Sequence, residues 1–236
     1  FPTRRSSDLA MALKYVKVPT PFAPLFEEAE KYVIGYFSKL NLNPEKGVIE
    51  IDGERYILVR SASMSVHFLE FITQMYPALD KEEAISASAK VLFDIAHSMG
   101  IADAKEFHTR TNVTDPISKL STGPVHFAFT GWASVDIHPD STPSPDENFC
   151  LIYDHPQSFE ADAWISKRKK VNFCTCFMNS GYSSGWCEQS FDIPLVAQEI
   201  TCRSRGDQYC RFIMSQAHRI DEFIEKYLAS NPEFKK

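Results

Sequence analysis

The spacing of apolar residues predicts a helix and then a hairpin near the start of the chain. From Leu25 to Leu40, apolar side chains recur every three or four residues with charged residues between them, which is typical of an amphipathic helix. Gly47–Ile51 and Arg55–Val59 instead alternate apolar and polar positions around Asp52-Gly53. That pattern predicts a β-hairpin with a tight turn.

The middle of the chain predicts helices first and strands later. Ser63–Met75 and Lys81–His97 have helical periodicity, and Gly100 is a candidate C-terminal cap for the second helix. Gly123–His138 is interpreted as strand structure, with Gly131 as a bulge or bend.

The rest of the chain predicts a loop followed by strands and helices. Pro139–Glu147, rich in proline, serine and aspartate, indicates a linker or a long hairpin loop. The predicted elements after it are a strand at Phe149–Tyr153, a helix at Ser158–Lys167, a strand at Cys174–Met178, the start of a helix at Gly181–Phe191, strands at Val196–Arg203 and Gln208–Met214, and a helix at Ala217–Ser230. We therefore predict an α+β fold, with an antiparallel sheet and flanking helices.

Composition narrows the class of protein. The 236 residues, 44% hydrophobic and 24% charged, indicate a globular protein with a buried core. The net charge of -6 provides no basic surface for nucleic acid. No apolar run reaches the roughly 18 residues of a membrane helix, so we expect no membrane span.

The start of the chain bears on its compartment. No hydrophobic signal segment is present, so we expect a cytoplasmic, reducing environment in which cysteines are free thiols or metal ligands. Residues 1–10 resemble a translated sequencing adapter, and Met11 is a candidate native start, so we leave this segment out of the fold prediction.

Five of the six cysteines lie between Asn172 and Ser215. If the last hairpin turns at Gly206, Cys202 and Cys210 are cross-strand partners with β-carbons about 4.5–5.5 Å apart. Two thiolates so placed can share one zinc ion at about 2.3 Å each. A disulfide or a pair of packed free thiols is compatible with the same geometry.

Cys176 and Glu199 are candidates to complete a set of four ligands. Glu199 lies three residues before Cys202, and strand alternation places such residues on opposite faces. Glu199 therefore needs a bulge or a strand end to reach the same ion. Cys174 shares the predicted strand face of Cys176, so either can be the ligand. The cysteines interpreted most simply as buried apolar residues are Cys150, Cys174 and Cys187.

Several stretches carry a resemblance to known families. The 4-vinyl reductase domain is similar to residues 181–191, GYSSGWCEQSF, together with residues 194–214, PLVAQEITCRSRGDQYCRFIM. The N-terminal sensor domain of activators of aromatic catabolism, the phenol- and xylene-responsive regulators, is similar to GVIEIDGERYILVRSAS, GPVHFAFTG and SFEADAW. Together these pieces span about residues 47–214.

The resemblance implies a zinc site. In those sensors a cysteine before the GY-S-G motif, a glutamate and two hairpin cysteines hold the ion. The matching positions here are Cys176, Glu199, Cys202 and Cys210. Four protein ligands leave no open coordination position, so the metal is expected to be structural and to contribute to folding.

The resemblance also implies a pocket in which a histidine and a tryptophan hold a phenol hydroxyl. His126 matches the histidine. The tryptophan region departs from the family by an apparent two-residue insertion, with Tyr153 near the expected place. Trp186 replaces a common tyrosine and is expected to line the pocket, and Trp132 is a further candidate. His155 is either a pocket residue or a loop-ordering group.

We expect a sensor for a small aromatic or other hydrophobic ligand, and not an enzyme, because the chain has no dinucleotide, Walker or kinase motif. Its output would lie in a longer parent chain or a partner, and a homodimer is expected from the family. The alternatives are a tetrapyrrole-handling, vinyl-reductase-related protein and a lipid-binding scaffold. The expected segments are residues 1–10 (non-native), 11–46 (N-terminal helix, dimerisation), 47–150 (aromatic-sensor-like domain), 151–216 (zinc-stapled 4-vinyl-reductase-like subdomain) and 217–236 (C-terminal helix and output linker).

Overall fold

The computed structural model describes residues 13–168 and 171–234, so the predicted adapter segment lies outside the described residues. The helices are α1 (Ala23–Phe37), α2 (Phe68–Gln74), α3 (Lys81–Thr111), α4 (Pro116–Phe129), α5 (Phe159–Ser166), α6 (Phe177–Phe191) and α7 (Ile220–Ser230). The strands are β1 (Val16–Lys17), β2 (Leu40–Asn43), β3 (Val48–Ile51), β4 (Glu54–Tyr56), β5 (Val135–Ile137), β6 (Leu151–His155), β7 (Val196–Thr201) and β8 (Cys210–Ser215). The predicted mixed α+β class is confirmed.

Two sheets organise the chain. The larger has the strand order β1-β5-β6-β8-β7, antiparallel except for the parallel pair β1 and β5. The smaller is the antiparallel meander β2-β3-β4, whose predicted turn holds Asp52 and Gly53 at positive φ angles of 52° and 88°. The predicted segment boundary after residue 150 falls between β5 and β6, which pair with each other in the larger sheet.

Strand β6 separates two parts of the core, because successive side chains of a strand point to opposite faces. Leu151 and Tyr153 belong to the large core that contains residues of α4 and α6. Ile152 packs instead in a smaller cluster with Ile220 and Ile224 of α7. The larger sheet is therefore covered on one face by α4 and α6 and on the other by α7.

Helices α3 and α6 pack closely along three glycines. A Cβ atom built on Gly100, Gly181 or Gly185 would lie 2.2 Å from a backbone carbonyl oxygen of the other helix. The prediction that Gly100 caps a helix is therefore wrong: it lies within α3, which ends at Thr111 with Asn112 as its C-cap at a φ of 52°. Glycine here provides close helix contact, which local sequence does not distinguish from a cap.

The first part of the predicted strand over Gly123–His138 is helical. Asp115 accepts a hydrogen bond from the Ser118 backbone N–H at 2.8 Å and starts α4, which continues through Pro124 to its end at Phe129. Only Val135–Ile137 is extended. The alternation of apolar residues in this stretch was misleading because the helix is buried on several sides.

The predicted strand over Cys174–Met178 is also wrong, because α6 begins at Phe177. The buried Glu160 carboxylate accepts hydrogen bonds from the backbone N–H groups of Met178 at 3.0 Å and Asn179 at 2.8 Å. These bonds satisfy donors that a helix leaves free in its first turn. A residue distant in sequence therefore sets the start of α6.

Helix α7 is held against the sheet by a buried ion pair. Arg211 of β8 donates to Asp154 of β6 at 2.6 and 2.7 Å, and also to the hydroxyl of Tyr227 in α7.

Across residues 13–168 and 171–234, no helix has the length and apolarity required to cross a membrane.

Candidate functional site

The structure brings together the four residues predicted to bind zinc. Cys176 is the N-cap of α6, Glu199 lies in β7, Cys202 follows β7 and Cys210 begins β8. One ligand atom from each lies within 4.8 Å of the others. The Sγ atom of Cys210 is 3.6 Å from that of Cys176 and 3.9 Å from that of Cys202.

These distances fit a tetrahedral metal site. Two sulfurs bound to one zinc at about 2.3 Å would lie roughly 3.8 Å apart. Glu199 Oε2 accepts the Cys176 backbone N–H at 2.9 Å, whereas its Oε1 is buried without a hydrogen-bond partner among the described residues. A buried carboxylate oxygen needs a donor or a cation, so three sulfurs and this oxygen form a donor set suited to zinc.

A strand irregularity places Glu199 in the cluster. The register of β7 against β8 shifts between Glu199 and Thr201, so the alternation that separates residues three apart is interrupted. The requirement for a bulge, argued from the sequence, is met. Cys176, expected on a strand, instead enters the cluster from the start of α6.

Polar groups surround the sulfurs. The hydroxyl of Ser158 lies 3.2 Å from Cys176 Sγ, and that of Ser204 lies 3.0 Å from Cys202 Sγ. The Arg203 backbone N–H donates to the Cys210 sulfur at 3.4 Å. Such donors favour thiolates and orient metal ligands.

The protonation chemistry of the cluster also favours a cation. All six cysteines are free, so no disulfide joins Cys202 and Cys210. Burial raises the pKa of the Cys176 thiol, and burial followed by the charge of Cys202 raises the pKa of Glu199. Hydrogen bonds from Cys176 and Cys210 lower the pKa of Cys202, so the buried cluster favours a thiolate whose charge a bound divalent cation would neutralise.

A second feature is a cavity of about 40 Å³ between α4, α6, β5 and β6. Its wall is carbon almost throughout, and the lining side chains that carry a polar atom or a thiol are Tyr153, His155, Tyr182, Ser183, Trp186 and Cys187. The cavity exceeds the roughly 10–15 Å³ that a water molecule needs. It is well below the roughly 300–1,000 Å³ of typical ligand pockets, so an aromatic ring requires the wall to move apart.

The four residues predicted to bind a ligand do not all reach this cavity. Tyr153 and Trp186 line it. Trp132 instead lines a separate cavity of about 280 Å³ together with Val59. His126 is buried in α4 and lines neither of the two, but it stacks on Trp186 with ring centroids 5.4 Å apart.

A hydrogen-bond chain runs from His126 to the wall of the cavity. Tyr182 donates its hydroxyl proton to Asp103 at 2.7 Å, and its oxygen lies 3.1 Å from His126 Nδ1. Burial lowers the pKa of His126 to about 3, so the imidazole is neutral. Because the hydroxyl hydrogen of Tyr182 is used in its bond to Asp103, the Tyr182 oxygen can only accept from His126, which assigns the imidazole proton to Nδ1. No local pattern pointed to Asp103, which lies beyond the predicted helix Lys81–His97.

His155 lies in the cavity wall, which answers the question that its sequence context left open. It is fully buried at the end of β6, and neither ring nitrogen has a hydrogen-bond partner among the described residues. Burial lowers its pKa to about 3. His155 lies two residues after Tyr153 on one strand, and such residues share a face. The sequence could therefore have indicated that both side chains face the same pocket.

Known proteins share this architecture. Residues 36–140 match the family described as activator of aromatic catabolism. A curated relative, the phenol regulator MopR of Acinetobacter guillouiae, is 22% identical over 201 residues. The chain resembles the sensor domains of aromatic-catabolism activators. The match covers 84% of this chain and 34% of MopR, so the chain spans about a third of the relative's length.

One solved structure shares the fold over most of the chain. The phenol-responsive sensory domain of the transcription activator PoxR, crystallised with phenol, superposes with a TM-score of 0.69 at 17% identity, covering 86% of this chain and 96% of that domain. A trafficking protein particle complex subunit 3 from Naegleria fowleri, covalently bound to palmitic acid, gives a TM-score of 0.43 at 14% identity, covering 66% of this chain and 93% of that one. The PoxR similarity establishes a shared fold.

Proposed function

We propose that the chain is a non-enzymatic sensor domain that binds a small aromatic or hydrophobic molecule in the cavity between α4, α6 and the larger sheet. The observation that carries the proposal is this carbon-walled cavity, within a fold shared with a phenol-responsive sensory domain. An apolar wall with few polar groups is the chemistry that suits such ligands.

The proposal includes a structural zinc ion held by Cys176, Glu199, Cys202 and Cys210. Bound there, zinc would fix the start of α6 to the β7–β8 hairpin, since its ligands come from both. Helix α6 also carries Tyr182 and Trp186 of the cavity wall. The metal would therefore stabilise the wall without touching the ligand.

Binding would be signalled to an output domain or partner. A ligand larger than the cavity stabilises a conformer with a wider cavity, and the signal is the shift toward that conformer. We also propose a homodimer that uses α1, whose outer face leaves Leu25 and Ile34 36% and 42% exposed. Light scattering of wild type and Ile34→Glu tests the dimer.

Calorimetric titration with phenol and toluene tests the ligand site. Val135 lines the cavity between α4, α6 and the larger sheet (the central cavity), and Val59 lines the cavity at Trp132, so the same change to phenylalanine fills either one. We expect Val135→Phe to abolish binding and Val59→Phe to retain it. The reverse result would move the site to the cavity at Trp132, and no binding to wild type would refute the aromatic-sensor proposal.

Native mass spectrometry of the purified protein tests the remaining parts together, because it reports bound zinc, any retained ligand and the number of subunits. A retained tetrapyrrole or acyl chain would favour the corresponding alternative function.

A further inference from the structure

Most polar groups in the wall of the central cavity already have partners. Ser183 donates its hydroxyl proton to the Asn179 carbonyl oxygen at 2.7 Å. The Tyr153 hydroxyl, 2.6 Å from the same Ser183 oxygen, is therefore the donor to it. The Trp186 indole N–H donates to the Lys119 carbonyl oxygen at 3.3 Å. The donors of these three side chains are all in use.

The Tyr182 hydroxyl also has its hydrogen-bond partners, in the network that contains His126. Its hydroxyl donates to Asp103 and accepts from His126 Nδ1. His126 does not line the cavity and is stacked against Tyr182 and Trp186, which do. His126 is thus separated from the cavity by one layer of side chains, which it contacts by ring stacking and by its hydrogen bond to the Tyr182 hydroxyl.

His155 differs from these neighbours. Its ring lines the cavity, and both of its nitrogens lack a partner among the described residues. The rings of Phe127, Tyr153 and Phe212 surround it, with centroids 5.7, 5.3 and 4.5 Å away. A neutral imidazole has one donor and one acceptor, and leaving them buried and unpaired destabilises the ligand-free protein.

We propose that His155 is the hydrogen-bonding anchor for a hydroxyl group on the ligand, and that His126 is a positioning residue that holds Tyr182. The inference rests on the proposed function and specifies its ligand as a hydroxylated aromatic. A hydroxyl both donates and accepts, so it can pair with an imidazole nitrogen of either kind. A methyl group of similar size can do neither.

Comparing phenol with toluene isolates the hydroxyl contact from ring burial. Calorimetry on wild type, His155→Phe and His126→Gln gives the ratio of the two dissociation constants for each protein. We expect wild type to bind phenol at least tenfold more tightly than toluene. In His155→Phe the ratio should fall to about one or below, since an unpaired phenol hydroxyl is then buried. In His126→Gln both affinities fall together and the ratio persists.

The assignment would be overturned if His155→Phe still preferred phenol over toluene as strongly as wild type does. It would also be overturned if only His126→Gln lost that preference. Equal binding of phenol and toluene to wild type would also overturn it while leaving the aromatic-sensor proposal intact. If wild type binds neither, both proposals fail.

A measurement on wild type covers the case in which His155→Phe does not fold. The imidazole ¹⁵N resonances of the seven histidines can be followed by NMR as ligand is added, and His155→Asn identifies those of His155. We expect phenol to shift the His155 nitrogens by several ppm and toluene to leave them nearly unchanged. A phenol-specific shift confined to His126 would refute the anchor.

Discussion

The crossing of α3 and α6 gives a sharp prediction about a single methyl group. A Cβ atom on Gly185 would lie 2.2 Å from the His97 carbonyl oxygen, and ordinary van der Waals contact begins at 3.4 Å. Accommodating Gly185→Ala therefore requires the two backbones to separate by about 1.2 Å. Because the obstructing atom belongs to a helix backbone, no side-chain rotation relieves the contact.

The expected cost follows from two opposing terms. Overpacking a core typically costs about 1–3 kcal/mol, and a rigid backbone contact belongs at the upper end. Alanine is better than glycine in a helix by about 1 kcal/mol, which offsets part of this cost. We expect Gly185→Ala to lower the free energy of unfolding by about 2 kcal/mol.

Gly35 in α1 is the matched control, because it is helical and exposed and its added Cβ meets no atom within 4 Å. Measured in the Ile34→Glu background, which removes the proposed α1 contact between copies, Gly35→Ala should stabilise the protein by about 1 kcal/mol through helix propensity alone. Urea denaturation followed by circular dichroism measures both variants under identical conditions. If Gly185→Ala proves as stable as wild type, the close crossing is wrong, and with it the position of Tyr182 and Trp186 in the cavity wall.

Three further predictions address the metal site, the sheet and the buried His126. Native mass spectrometry should find one zinc per chain in wild type and in Cys150→Ser but none in Cys210→Ser; a zinc retained by Cys210→Ser would contradict the ligand set. Asp154→Asn leaves a buried arginine unpaired and should cost about 3 kcal/mol in urea denaturation, whereas Asp94→Asn breaks an exposed pair and should cost under about 1 kcal/mol. Burial lowers the pKa of His126 from 6.5 to about 3, so folding holds it neutral and its contribution to stability is lost as pH falls through that range. His126→Gln should therefore lose stability less steeply between pH 6 and 4, by about 1.4 kcal/mol per pH unit, and equal slopes would contradict a buried neutral imidazole.

Elements fixed by local chemistry could be predicted from the sequence. The Asp52-Gly53 turn adopts the positive φ angles that its residues favour. Ser158 caps α5 where the predicted helix begins. The pairing of Cys202 with Cys210 also followed from one hairpin, because a short turn sets the register of its strands.

Features set by distant residues could not be predicted in this way. Helix α6 starts where Glu160 of another helix accepts its free N–H groups, and no local pattern around Cys176 indicates this. Gly123 and Gly181 lie inside helices at positions where a Trp186 ring and a Phe93 carbonyl oxygen leave no room for a side chain. Propensity alone favoured a strand at Gly123, and it started the helix at Gly181 although α6 begins at Phe177.

The larger sheet connects the proposed ligand site to the C-terminal helix through alternate residues of one strand. Tyr153 and His155 face the cavity, and Asp154 between them bonds to Arg211 on the opposite face. Arg211 also bonds to Tyr227 of α7. A cavity of about 40 Å³ admits an aromatic ring only when its wall moves, and a displacement of β6 that moves Tyr153 and His155 necessarily moves Asp154 as well. The position of α7 should therefore depend on ligand occupancy, and breaking the ion pair should weaken that dependence while leaving the residues of the cavity wall unchanged.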